Sequence, residues 1–258
     1  MLVDSHCHLE YKGLVEDREG VLERARAAGV GAFLNISTRQ SEWDQVVGTA
    51  AREPDVFASV GIHPHEVDAH QDLGRSALLE ATRHPKVVAI GETGLDYYYD
   101  KSERDAQKRL FRMHIDVARE TQLPLIIHTR DAEDDTHAIL AEEIGKGAYP
   151  ALIHCFTASA DFAEKVLALG LTISLSGIVT FKNAKDLQEV AKVIPEDKLL
   201  VETDSPFLAP VPHRGRVCEP AYVSDTAAFV AALRGTDVEH FKRVTTANFF
   251  NLFSKAVL

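Results

Sequence analysis

The sequence predicts one α/β domain over residues 1–258: a (β/α)8 barrel of the TIM type, with its active site at the C-terminal ends of the strands. Three observations lead there. Short β-rich runs alternate with longer amphipathic stretches, and the alternation repeats eight times. The β-rich runs are almost continuously apolar, as parallel strands are when both faces are buried. Their few polar residues collect at the C-terminal ends, the face on which such barrels carry function. An open doubly wound sheet is the rival architecture, but no glycine-rich dinucleotide or P-loop signature follows any of the runs.

The elements follow in order. LVDSHCH (2–8) is the first strand, ending in His6 and His8, and the helical pattern EGVLERARAAG after it is stopped by Gly29. GAFLNIS (31–37) precedes a helix around 41–52, and VFASVGIH (56–63), which ends in His63, precedes one around 73–83. VVAIGETGLD (87–96) carries Glu92 and leads to a helix over 103–121, where apolar Leu110, Met113, Ile115 and Val117 recur. PLIIHTR (124–130) carries His128, and PALIHCF (150–156) carries His154. LTISLSG (171–177) is wholly uncharged, and KLLVETDSP (198–206) carries Glu202 and Asp204. Helical sequence follows each.

A formal net charge of −11 argues against broad electrostatic adhesion to nucleic acid, though not against an enzyme that grips one phosphodiester through cations. The first residues lack a basic segment followed by an apolar one, and no apolar run reaches the length of a bilayer span. A cytoplasmic protein with no membrane association is expected. Cys7, Cys155 and Cys218 are odd in number and far apart, which fits a reducing compartment. Cys7 and Cys155 alternate with histidines and are expected to be small apolar fillers on the opposite strand face.

Residues i and i+2 of a strand point to one face, so His6 and His8 should aim together, and Glu202 and Asp204 likewise. A lone His63 or His154 reads as a hydrogen-bonded core histidine. Jointly, however, so many ionisable groups in one small volume are costly to bury unless a cation joins them. His6, His8 and Asp204 form one candidate ion site, His128 and His154 a second, and Glu92 lies between them to bridge the two. Mixed imidazole and carboxylate ligation suits Zn or Mn, and tolerates Mg. Two such ions about 4 Å apart are an arrangement suited to displacement at phosphorus.

Together DSHCHL, GIHPHE, IGETGLDYYYD, IIHTRDA, IHCFT, VETDSPFLAP, and PHRGR with EPAYV resemble the TatD-type metal-dependent deoxyribonucleases, within the amidohydrolase-like barrel superfamily. The motifs run in family order from residue 4 to about 225. The resemblance implies two divalent ions per chain held by His6, His8, Glu92, His128, His154 and Asp204. It places His63 at the substrate phosphate and makes Glu202 a further active-site carboxylate, either a structural support or a water-facing group. Glu92, Asp204, His63 and Glu202 are thus the expected catalytic set. The implied activity is a 3'-5' exonuclease on single-stranded DNA, a DNA-repair type of function, and a monomer is expected. Cys218 stands where the family often has Asn, so no substrate contact carries over to it.

Among further substrate-binding candidates, Arg130 shares the face of His128 and reaches either a phosphate or Asp131. Arg214 and Arg216, in a turn-rich loop, either grip a nucleic-acid backbone or stay solvated. Tyr97, Tyr98 and Tyr99 either stack on a base or pack. Asp96 is placed to accept a hydrogen bond from a ligand histidine. His65, His70, His84, His114, His137, His213 and His240 have no comparable placement and are expected on the surface or on helices. Two other functions are alternatives. One is hydrolysis of another ester or amide in a small molecule, and the resemblance also leaves room for an ester hydrolase acting on misacylated tRNA. The other is a scaffold or binding subunit that keeps its metal without turnover, and the complete ligand set argues against it.

Overall fold

The computed structural model describes residues 1–258. Its strands are β1 (Leu2–Cys7), β2 (Val30–Asn35), β3 (Val56–Val60), β4 (Val87–Asp96), β5 (Leu125–Arg130), β6 (Ala151–Ile153), β7 (Thr172–Leu175) and β8 (Leu199–Val201). All neighbours pair in parallel and in chain order. The sheet nearly closes at its C-terminal end: Cys7 bridges Ser205, His8 N–H donates to the Ser205 carbonyl at 2.8 Å, and Asp204 N–H donates to the His6 carbonyl at 2.9 Å. Helices α1 (Arg18–Ala27), α2 (Trp43–Arg52), α3 (Arg75–Ala81), α4 (Arg104–Thr121), α5 (Glu133–Gly145), α6 (Ala160–Ala168), α7 (Lys185–Val193) and α8 (Val223–Arg234) alternate with the strands, and α9 (Val238–Leu252) follows. This is the expected (β/α)8 barrel.

Strand alternation divides the core into two layers. Leu2, Phe33, Val56, Val87, Leu125 and Leu199 pack outward against the helices. Their neighbours Val3, Leu34, Phe57, Val88, Ile126 and Leu200 fill the barrel interior. Phe249 and Phe253, at the end of α9, join the interior cluster, and α9 lies against β1 and β8. Each buried ring contributes about 1.5–3 kcal/mol, so the N-terminal end is sealed by apolar packing and the polar residues are left to the C-terminal mouth.

Near that mouth the alternation breaks. The register shifts between Asp4 and Cys7 on β1 and between Ile90 and Thr93 on β4, and His6 and Glu92 sit inside those irregular stretches. Gly94 permits the close approach of β4 to β5. Its φ is +137°, and a Cβ there would lie 2.0 Å from the carbonyl oxygen of His128. Strands β6 and β8 are shorter than expected, so His154, Glu202 and Asp204 lie just beyond them. Cys155 and Asp204 take left-handed backbone angles, φ +45° and +55°. Such strain in non-glycine residues collects at functional sites.

Candidate active site

At the mouth Glu92, almost fully buried, divides its two oxygens between two groups of imidazoles. Oε2 lies 3.3 Å from His6 Nε2 and 3.9 Å from His8 Nε2. Oε1 lies 2.7 Å from His154 Nε2 and 3.1 Å from His128 Nδ1. Asp204 Oδ1 completes the first group, 3.3 Å from His8 Nε2 and 3.6 Å from His6 Nε2. The six residues assigned as ligands from sequence are thus brought together from β1, β4, β5 and the segments after β6 and β8.

A ring of partners fixes how these ligands point. Glu202 is fully buried, and its Oε1 accepts from Cys155 N–H at 2.8 Å and faces His154 Nδ1 at 3.2 Å, which turns His154 Nε2 toward Glu92. Asp96 does the corresponding work for His128, with Oδ2 at 3.0 Å from His128 Nε2, so that Nδ1 faces Glu92. The same Oδ2 lies 2.8 Å from His65 Nε2. Asp4 ties β1 to the segment after β8, accepting from Thr203 N–H at 2.9 Å, Thr203 Oγ1 at 2.6 Å and His6 N–H at 3.3 Å. Burial pushes the Asp4 carboxyl up to about 8 against those hydrogen bonds, which favour the charged form.

Three expectations are corrected here. Glu202 and Asp204 do not share a face, because β8 ends at Val201 and the left-handed turn at Asp204 swings it into the mouth while Glu202 stays beneath His154. Glu202 therefore braces His154 and does not face water. Cys155 is no filler on the far face: with β6 ended at Ile153, it turns to line the cavity, whereas Cys7 is fully buried as expected. His65 is not a surface residue, whereas His114 lies on α4, as expected of a helix residue, though buried. His65 lines the cavity, and His114 is fully buried with Nε2 accepting from Ile62 N–H at 3.2 Å, just before His63. The i, i+2 spacing of His63 and His65 in GIHPHE was the available signal for the first. Nothing in the sequence pattern signalled the second.

Burial works to raise the Glu92 carboxyl, but the imidazoles of His154, His63 and His128 outweigh it and hold it well below the usual carboxylate range. Burial likewise opposes ionisation of Asp204, and His8 and His6 draw it down. Burial pushes His63 down to about 4, so it is neutral near pH 7. Its Nδ1 accepts from His65 N–H at 3.1 Å, which assigns the proton to Nε2, 3.4 Å from Glu92 Oε1. His63 is thus an N–H donor aimed into the mouth.

The cluster fits divalent metal. His154 Nε2 is only 2.7 Å from Glu92 Oε1 yet lacks hydrogen-bond alignment with it, and it counts among the buried polar atoms without a partner. His6 and His8 point Nε2 atoms at one another 3.3 Å apart. Several histidine nitrogens and carboxylate oxygens converging on common points, one pair of them 2.7 Å apart with no hydrogen bond, are what ligands around a cation present. Three groups have mutually close donor atoms: His6, His8 and Glu92; His63, Glu92 and His128; and His6, His154 and Glu202.

Above the cluster opens a cavity of about 810 Å³. His63 and Arg130 line it. Arg130 makes no ion pair with Asp131; its guanidinium lies 4.0 Å from the Tyr98 ring and 4.8 Å from that of Tyr99. Tyr97 packs, with its hydroxyl 2.6 Å from Asp135 and Arg104 over its ring. Arg214 and Arg216 are exposed outside the cavity, Arg214 against Phe181 at 3.6 Å, and Cys218 is fully buried away from it.

A charge cluster that calls for cations, held at the mouth of a parallel barrel, is the apparatus of a metal-dependent hydrolase, and this chain is of that class. Its family follows from comparison: residues 3–254 match the TatD related DNase family, to which the chain belongs. It is 45% identical over 258 residues to YcfH of Escherichia coli K12, described as an uncharacterized metal-dependent hydrolase, covering 98% of this chain and 95% of that protein. YabD of Bacillus subtilis, described in the same words, is 41% identical over 253 residues, covering 98% and 99%. Among solved structures, the TatD homologue YjjV of Escherichia coli superposes with a TM-score of 0.92 at 28% identity, covering 98% of each chain.

Proposed function

We propose that this chain is a divalent-metal-dependent deoxyribonuclease that hydrolyses phosphodiester bonds, working as a monomer and as a cytoplasmic 3'-5' exonuclease on single-stranded DNA with a part in DNA repair. The observation that carries the proposal is the division of Glu92 between two imidazole groups, with Oε1 toward His154 and His128 and Oε2 toward His6 and His8. His6, His8 and Asp204 would hold one ion, His128 and His154 the other, and Glu92 both.

Bound there, Mg, Mn or Zn supplies Lewis-acid polarisation of the phosphodiester and acidifies a water molecule. The chain's own residues do the rest. Glu202 and Asp96 keep the His154 and His128 rings in the tautomers that face the centre. Asp204 lines the cavity and is placed to take a proton from the attacking water. His63 donates from Nε2 to the phosphate or the departing oxygen, and its neutrality lets it do so without competing with cations. Arg130, free of any carboxylate partner at the rim, offers a fork of donors to a neighbouring phosphate.

The test is direct. Metal-stripped protein is incubated with end-labelled single-stranded and duplex DNA, with Mg, Mn or Zn restored in turn. Metal-dependent shortening from the 3' end is expected. No cleavage with any metal would overturn the proposal and favour hydrolysis of a smaller ester or amide.

A further inference from the structure

The chain has three exposed aromatic side chains, Tyr98, Tyr99 and Phe207, and all three line the cavity above the metal cluster. They do not form one patch. Tyr98 and Tyr99 follow β4, and Phe207 follows β8. In an eight-stranded barrel of sequential order β4 and β8 are diametrically opposed, so the two aromatic groups face each other across the cluster.

Each group is tied to a ligand. Phe207 N–H donates to the Asp204 carbonyl at 2.9 Å, and its ring lies edge-on to Tyr11 and His8, at 6.0 and 6.3 Å between centroids. Tyr98 and Tyr99 N–H groups donate to Asp96 Oδ1 at 3.1 and 2.9 Å, and the other oxygen of that carboxylate faces His128. The cationic side chains of the cavity wall are also asymmetric. Its lysine and arginine are Lys101 and Arg130, both against the tyrosines, and neither pairs with a carboxylate. The Phe207 side is continued by the apolar Leu208 and Ile178.

These rings leave about half their surface to solvent, so packing alone does not account for them, and each offers a π-face to an unpaired base. We infer that Phe207 on one side and Tyr98 with Tyr99 on the other are the two jaws of a nucleobase grip. They stack on the bases on either side of the scissile phosphate, while Arg130 and Lys101 hold the next phosphate on the tyrosine side. Bases stacked between neighbouring pairs of a duplex leave no π-face free for the jaws, so the grip is what selects single-stranded over duplex DNA. This rests on the deoxyribonuclease proposal and adds which residues read the strand.

The test uses the metal-reconstituted protein with single-stranded oligonucleotides. KM is measured on a phosphodiester strand, and binding by fluorescence anisotropy on a phosphorothioate strand that resists cleavage. Phe207→Ala, and Tyr98→Ala with Tyr99→Ala, should each weaken binding and raise KM about tenfold, the scale of base–aromatic stacking. Phe207→Trp should restore the wild-type values. Removing the base from a nucleotide flanking the cleaved bond should weaken wild type about tenfold and the matching jaw variant no further. Variants that bind as wild type does, or that lose the same factor again on the abasic strand, would overturn the grip. If the wild-type protein cleaves no DNA, the deoxyribonuclease proposal itself fails. If it cleaves DNA and the jaw variants match it, only the grip fails.

Discussion

Glu202→Gln isolates the support of one ligand from the ligands themselves. Glu202 hydrogen-bonds within the cluster to His154, whose Nδ1 it faces at 3.2 Å while also accepting from Cys155 N–H at 2.8 Å. The glutamine carbonyl can keep the Cys155 bond, but the charge that favours the Nδ1–H tautomer of His154 is gone. A hydrogen bond to a charged group is worth about 1.5–3 kcal/mol and a neutral one about 0.5–1.5, so about 1–2 kcal/mol is withdrawn from His154. That corresponds to roughly a tenfold loss in affinity for the ion His154 holds, at the lower end of the 10–100-fold typical of such partners. The new amide nitrogen replaces Glu202 Oε2, which is already buried without a partner, so the metal-free protein should change little in stability. Titrating Mn or Zn into metal-stripped protein against a chelating dye reads the loss in affinity. One site should weaken at least tenfold and the site of His8 and Asp204 much less. Two sites of wild-type affinity would refute the assignment of Glu202 as the residue that positions His154.

Three further outcomes follow from the same structure. Gly94→Ala should cost at least about 2 kcal/mol more in chemical denaturation than Gly29→Ala, because both positions have positive φ but only at Gly94 does the added Cβ strike backbone, the carbonyl of His128. His114 is held down to about 4 by burial. The unfolded chain, with its histidine near 6.5, then binds the extra proton, so this contribution is intact above about pH 6.5 and is lost as pH falls toward 4, about 3 kcal/mol in all. The difference in unfolding free energy between wild type and His114→Gln, measured from pH 7 to 4, should shrink by that amount. Chelation should lower the melting temperature, with about 2.7 kcal/mol lost per site for ions present at a hundredfold excess over Kd; calorimetry with and without chelator checks it.

The barrel and the ligand set are legible in the sequence because both rest on short-range regularities. Apolar runs repeat with helices between them, and the polar residues that interrupt the runs fall at one end, so His6, His8, Glu92, His128, His154 and Asp204 announce themselves. What the pattern cannot show is where a strand stops. The alternation that joins Glu202 with Asp204, and sets Cys155 opposite His154, assumes extended backbone, and the left-handed turns at Cys155 and Asp204 reverse it. Partners supplied from distant chain, such as His114 on Ile62 and Asp4 on Thr203, leave no periodic trace. Phe207 lies within VETDSPFLAP, but its place opposite Tyr98 and Tyr99 emerges only when the barrel closes.

The account turns on Glu92 joining two ion sites, and metal content measures that most directly. Wild type and Glu92→Ala are stripped, reconstituted with Mn or Zn, freed of excess by gel filtration, and analysed for ions per chain alongside chelator-sensitive nuclease activity. The account predicts about two ions in wild type, with both the ion content and the activity lost in the variant. A wild-type protein that binds a single ion, or a variant that keeps both ions and full activity, would contradict it.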